Sequence, residues 1–292
     1  MSKIEWLARP GTTPRSWNPI TGCTRVSPGC ENCYAETMSH RLNAMGQPKY
    51  QGVTKPSGKW STNVYFHQKE LCTPRLWKKP STIFVCSMSD LFHEGVQGEA
   101  LDKIFDAMED HYRHTYLILT KRPERMRDYL SKRWTGAFQP QFIWAGTSVE
   151  DQERADERIP LLLQVPAAVR FLSVEPLLGP VDFGWPKPTE VEAPEYATRE
   201  YFHGPDWVIA GGESGPGARP CNIDWLQNIR DQCYEASVPF FMKQLGSLPV
   251  EPDYDSTNPD DTAPIEDGHG RSKRSDPAIL EAHGLNIREW PG

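Results

Sequence analysis

From Thr82 onward the sequence repeats one beat: a short unbroken apolar run, a polar loop, then a stretch with helical spacing. The runs are Thr82–Cys86, Thr115–Thr120, Phe142–Gly146, Val169–Ser173, Trp207–Ala210 and Pro239–Lys243. Helical spacing fills the intervals near 98–111, 124–134, 151–163 and 223–236. Strands without alternation are what a parallel sheet needs when both of its faces are covered; a half-solvated antiparallel strand would alternate. The pattern predicts an α/β chain built as a complete or partial (β/α) barrel with parallel strands. A doubly wound open sheet would show the same periodicity.

Upstream, Trp17–Thr24 reads as a first strand after an irregular arm over residues 1–16. Residues 32–44 read as a helix, with Met38, Leu42 and Met45 near helical spacing and Gly46 and Pro48 ending it. The expected organisation is one barrel domain over 1–246, interrupted by an insertion at about 47–80 and a Pro- and acid-rich excursion at about 180–205. A polar tail covers 247–292, strongly acidic between Asp253 and Asp267, with a short helix near 276–283.

The 292 residues carry seven cysteines, and three stand together in Cys23-Thr-Arg-Val-Ser-Pro-Gly-Cys30-Glu-Asn-Cys33, a C-x6-C-x2-C spacing. The N-terminus lacks the apolar core of a signal peptide, and no apolar run approaches membrane-span length. A cytoplasmic, reducing setting with no membrane partner is expected, where clustered cysteines favour metal ligation over disulfides. Three thiolates suit an iron–sulfur cluster with one iron left open. A zinc site would want a fourth ligand, for which His40 is one candidate. Cys86 and Cys233 fall inside a strand and a helix, where packing is the plainer role. The net charge of −7 argues against a broadly basic nucleic-acid binder but leaves room for a local basic groove.

Parallel barrels gather reactive groups at the C-terminal strand ends. Here those ends carry Ser87, Ser89, Asp90, Lys121, Arg122, Thr147, Ser148, Glu150, Ser173, Glu175, Glu213, Ser214, Lys243 and Gln244. Loop ends are polar in any protein, but carboxylates recur here directly after buried strands.

Three clustered cysteines ahead of a run of β/α units resemble the radical S-adenosylmethionine superfamily, whose usual first gap holds three residues where this one holds six. More closely, Trp17–Cys23, Cys30–Glu36, Ser87–Glu94, Leu119–Pro123, Ser173–Leu177 and Gly211–Pro220 are similar to a phage- and prophage-associated radical-SAM-like family of unassigned function. The resemblance spans roughly residues 15–245. It implies that Cys23, Cys30 and Cys33 bind a [4Fe–4S] cluster, that S-adenosylmethionine is the second cofactor, and that its cleavage yields a 5′-deoxyadenosyl radical. It also implies an electron donor such as a flavodoxin or ferredoxin. Tyr34, Ser87, Ser89, Asp90, Arg122, Thr147 and Ser148 become candidate cofactor contacts, and Lys121, Glu175 and Glu213 candidate catalytic residues. Asp90 occupies the position at which the superfamily receives an amino group, and Lys121 or Arg122 would neutralise a carboxylate. The phage setting and the basic segments 69–79, 121–133 and 271–274 point to a nucleic-acid base or nucleotide as substrate.

Two other classes fit parts of the chain. One is a zinc- or cluster-stabilised nucleic-acid-binding protein, with Trp60, Trp77 and Trp134 near the basic segments for stacking. The other is a hydrolase or lyase barrel using Glu150, Glu175 and Glu213 as acid and base, which leaves the cysteine trio without a role.

Overall fold

The first sheet strand lies earlier than the sequence pattern suggests. In the computed structural model, which describes residues 4–136, 138–185, 204–251 and 277–291, strand β1 is Thr13–Trp17. All of it but Trp17 falls inside the stretch read as an arm. Pro14 is tolerated there because β1 is an edge strand, paired on one side with β2 (Ser81–Val85). Beyond Trp17, Pro19 and Gly22 stop the expected strand, and Ile20–Thr21 pairs antiparallel with Tyr65–Phe66 instead. Ahead of β1, the turn Glu5–Leu7 buries Trp6 and Leu7, with Trp6 edge-on to Phe84 at 4.9 Å.

The remaining sheet strands are β3 (Thr115–Thr120), β4 (Ile143–Ser148), β5 (Val169–Val174), β6 (Trp207–Gly211) and β7 (Phe240–Gln244). They stand in chain order from β1 to β7 in one seven-stranded sheet. The pairs β1–β2, β2–β3, β3–β4, β5–β6 and β6–β7 are all parallel. A doubly wound sheet would reverse its order at a switch point. Sequential order with β1 and β7 as the edges is that of a partial (β/α) barrel. Every residue of β2, β4 and β6 is buried, which accounts for their unbroken apolar runs.

Among the described residues, the α-helices of six or more residues are α1 (Tyr34–Ala44), α2 (Gly98–Glu109), α3 (Pro123–Arg133), α4 (Gln152–Leu163), α5 (Ile223–Glu235) and α6 (Pro277–Ala282). Helix α2 buries Leu101, Ile104, Phe105 and Met108, one stripe at 3–4 residue spacing. Helix α3 opens on Pro123, whose missing N–H costs nothing in a first turn. Asn222 caps α5 by accepting the Asp224 amide at 2.9 Å.

The chain divides into two compact units, residues 1–147 with 164–170, and residues 148–163 with 171–292. In the first, the segment read as an insertion supplies Val53 and Trp60 to a buried cluster with Ala35 and Met88. Cys23, Cys33, Leu42 and Tyr50 pack against that cluster. In the second, the end of the chain docks on β7: Met242 donates to Ile287 O at 2.9 Å and Glu289 to Phe240 O at 3.0 Å. Trp207 donates to Glu289 O at 2.8 Å, and Trp290 lies edge-on to Phe241. Helix α6 stands where the tail's short helix was expected. Most of the 180–205 excursion, the acidic run 253–267 and the basic run 271–274 lie outside the described residues.

Candidate functional site

In the first unit, the chain leaves β1, makes the short Ile20–Thr21 pairing and enters the cysteine loop through Gly22. Gly22 holds φ +90°, and a Cβ there would be driven into the carbonyl oxygen of Asn63. Only glycine lets the backbone pass this close while taking a left-handed turn. A 3-10 turn, Pro28–Cys30, carries the second cysteine, and Cys33 caps the start of α1.

The three thiols share one electrostatic environment. Burial pushes Cys23 up to about 12, with Asp90 and the other two thiols adding to the rise and Arg122 opposing it. Burial also raises Cys33, against the amides of Glu36 and Ala35 in the first turn of α1. Cys30 goes the other way. Burial would raise it, but Lys121, the Val26 and Ser27 amides and the Ser27 hydroxyl together lower it. Lys121 also reaches Ser27 Oγ at 3.5 Å.

Behind the loop sits a buried polar network that the sequence hides. Asp90 accepts four hydrogen bonds: from Thr120 Oγ1 (2.7 Å) and the Phe92 amide (2.9 Å) on Oδ1, and from the Lys121 amide (3.2 Å) and Arg122 Nη1 (2.9 Å) on Oδ2. Arg122 also donates to Glu94 at 2.7 Å and to the hydroxyl of Thr24, beside Cys23, at 2.9 Å. His93 Nδ1 accepts the Gly95 amide, which leaves Nε2 to donate to the same Thr24 hydroxyl at 2.9 Å. Burial, then Arg122, holds His93 below its ordinary value, which favours the neutral ring.

Ser87 and Ser89 brace the approach to the loop. Ser87 donates to Asn18 Oδ1 at 3.2 Å and Ser89 to Ile20 O at 2.8 Å, while Tyr34 donates to Ser87 O. Thr147, fully buried, donates to Thr120 O at 2.9 Å. Glu36, in the first turn of α1, is a residue the cysteine spacing did not single out. It is buried, pairs with Arg25 of the loop, accepts the Trp60 amide at 2.9 Å, and has Lys59 Nζ 3.6 Å away. It therefore fastens both the loop and the 47–80 segment to the helix. Among the described residues, no three His, Cys, Asp or Glu side chains stand close enough together to hold a metal ion.

In the second unit, Glu175 follows β5 and Lys243 lies within β7. Lys243 Nζ forms an ion pair with Glu175 Oε1 at 2.9 Å. Ser173 donates to Oε2 at 3.2 Å. Gly211 keeps the space open, since a Cβ there would come 2.8 Å from Glu175 Oε1. Glu213 is committed elsewhere: Arg219 grips it with Nε at 2.9 Å and Nη2 at 2.6 Å, and the Arg219 amide adds a third bond. Ser148 gives its carbonyl to Arg158 at 2.9 Å, and Arg158 also pairs with the buried Glu150 at 3.1 Å. Glu150 is thus a partner inside the fold, not an open acid.

A family model described as "Protein of unknown function (DUF5131)" matches residues 1–273. The chain belongs to that family. No curated protein matches it. A solved structure, spore photoproduct lyase complexed with dinucleoside spore photoproduct, is similar at 12% identity and a TM-score of 0.33. The match covers 66% of this chain and 54% of that one, so this member of the family spans about half the length of the structure it matches. Among the described residues, no helix is long and apolar enough to cross a membrane.

Proposed function

We propose that this protein is an iron–sulfur enzyme of the radical S-adenosylmethionine type. Cys23, Cys30 and Cys33 would hold the [4Fe–4S] cluster, and the substrate would be a nucleic-acid base or nucleotide. The observation that carries the reading is the donor set of the loop. Cys23 and Cys33 pack against one buried cluster, Ser27 Oγ lies 3.8 Å from Cys30 Sγ with Lys121 Nζ 3.5 Å from that hydroxyl, and Lys121 and local amides lower the Cys30 thiol while burial raises the other two. A bound metal centre would supply the positive charge that lets buried thiols ionise, and amide–sulfur hydrogen bonds are among the features that tune such a centre. Three protein thiols suit a cluster that keeps one iron open, whereas a structural zinc would want a fourth ligand. When bound, the group supplies one-electron reductive cleavage of S-adenosylmethionine.

The chain's own residues then have separate tasks. Arg122 is fully engaged by Asp90, Glu94 and Thr24, so Lys121 is the cation we assign to the methionine carboxylate. Asp90, with four internal donors, positions Arg122 and the loop. Ser87, Ser89 and Tyr34 hold the chain leading to the cysteines, and Thr147 ties two strand ends together. In the second unit, Glu175 with Lys243 is the pair we assign to proton movement or substrate polarity. Glu213 shapes the glycine-rich loop through Arg219.

The test is anaerobic reconstitution with iron and sulfide, followed by EPR of the reduced protein with and without S-adenosylmethionine and an assay for 5′-deoxyadenosine. A signal that changes on addition, with deoxyadenosine formed, is expected. A colourless protein holding one zinc would sink the proposal.

A further inference from the structure

Helix α1, whose N-cap is Cys33, buries Ala35 and packs Leu42 inward but leaves its larger apolar residues on the exposed side. Tyr34, Met38 and Met45 are 57%, 39% and 66% exposed, and Arg41 is exposed between them. Positions 34, 38, 41 and 45 follow 4–3–4 spacing, which places them on one face of about 16 Å. The opposite face is buried through Ala35, Glu36 and Ser39. A turn packs beside this helix: Lys55 N donates to Lys59 O at 2.7 Å, and Gly58 lies against His40. Lys55 and Lys59 are exposed on it.

The charge of this region is as unusual as its apolar stripe. Residues 37–69 contain five cations (Arg41, Lys49, Lys55, Lys59 and Lys69) and no acidic residue, in a chain of net charge −7. The one acidic side chain of α1, Glu36, is buried between Arg25 and Lys59.

We infer that the exposed face of α1, rimmed by Arg41, Lys55 and Lys59, docks a small acidic redox protein that delivers electrons to the centre at Cys23, Cys30 and Cys33. This rests on the proposed function above. The chemistry of the face selects the partner. An apolar centre with two methionines suits a protein surface, since thioether side chains adapt to varied partners and offer little to a phosphate backbone. A rim of one sign steers an oppositely charged partner and makes association salt-dependent. Electron-transfer encounters use small interfaces, which a single helix face and one turn can supply. In the transfer, the partner is oxidised by one electron and the cysteine-held centre is reduced by one, with no proton exchanged.

The experiment uses the reconstituted full chain, an acidic flavodoxin as the probe, and a variant carrying Met38→Asp, Arg41→Glu and Lys55→Glu. Flavodoxin affinity is measured by calorimetry at about 50 and 300 mM salt. Deoxyadenosine formation is then driven either by reduced flavodoxin or by dithionite. The expected results are at least about tenfold weaker flavodoxin binding in the variant, salt-weakened binding in the unaltered protein, and unchanged dithionite-driven turnover. Flavodoxin affinity within about twofold of the unaltered protein would overturn the docking surface. Loss of single-stranded oligonucleotide binding with flavodoxin binding intact would overturn it too, and would assign the face to nucleic acid. No dithionite-driven product from the unaltered protein would instead remove the underlying reading of the cysteine loop, and with it the electron-delivery role.

Discussion

Nη1 of Arg122 lies 2.9 Å from Oδ2 of Asp90, and both side chains are buried. The same guanidinium reaches the residue after Cys23, so this ion pair ties the end of β3 to the cysteine loop. A buried pair broken from one side leaves a charge without its partner, which costs about 3–5 kcal/mol. Asp90→Ala should lower unfolding stability by that order and reduce iron content after reconstitution. Arg122→Lys should behave almost as badly, because an ammonium cannot serve Asp90, Glu94 and Thr24 in one plane. Urea unfolding and iron analysis on the same preparations check both.

Gly22 makes a second, purely steric demand on the loop. Gly22→Ala forces a side chain into left-handed backbone and against Asn63 O, with an expected cost of about 2–5 kcal/mol. Gly11 has a similar φ of +78° but open space around it. Gly11→Ala should therefore cost only about 1–2 kcal/mol. Equal losses for the two would mean that the Asn63 contact is unimportant.

The pH dependence of the first unit should be set by neutral histidines before any carboxylate. His67, His93 and His114 are each held below the ordinary value of 6.5, in every case first by burial. The charged groups facing His93 are Arg122, Glu94, Asp90 and Arg125. A histidine whose folded pKa is lowered takes its proton first in the unfolded chain. Its stabilising effect is complete above 6.5 and is lost as pH falls through that value toward the folded pKa. The urea midpoint should fall from about pH 7 to pH 5. His93→Asn keeps an acceptor for the Gly95 amide but cannot titrate, so it should flatten part of that slope. An unchanged slope would show that His93 charges freely in the folded state.

How much of this was readable from the sequence depends on how far apart the partners lie. The parallel strands were legible because β2, β4 and β6 are buried at every position and so read as unbroken apolar runs. β1 was not, since an edge strand reading Thr-Pro-Arg-Ser-Trp buries only its last residue. The cysteine loop was legible by local spacing. Its supports were not: Thr24 meets Arg122 across 98 residues and His93 across 69. Val53 and Trp60 are isolated apolar residues in a polar stretch, and only the fold reveals that they cover Cys23 and Cys33. Glu36 carried a faint local signal, an acid in the first turn of a helix that begins at a cysteine.

Glu213 is where the two levels part most sharply. A carboxylate directly after a buried strand reads as catalytic, yet in the second unit it is buried and held by three donors of Arg219. If its task is to set the Gly211–Gly217 loop, then Glu213→Gln and Arg219→Met should each destabilise the protein. Arg219→Met should be the costlier at about 2–4 kcal/mol, because it strands a buried carboxylate. A double-mutant cycle should return a coupling of about 1–3 kcal/mol. Iron content should stay at the unaltered level in all three proteins, since the cysteines belong to the other unit. A Glu213→Gln protein of unaltered stability that has lost deoxyadenosine formation would give the opposite answer. It would make Glu213 a catalytic residue whose bond to Arg219 tunes the reaction and does not serve to build the loop.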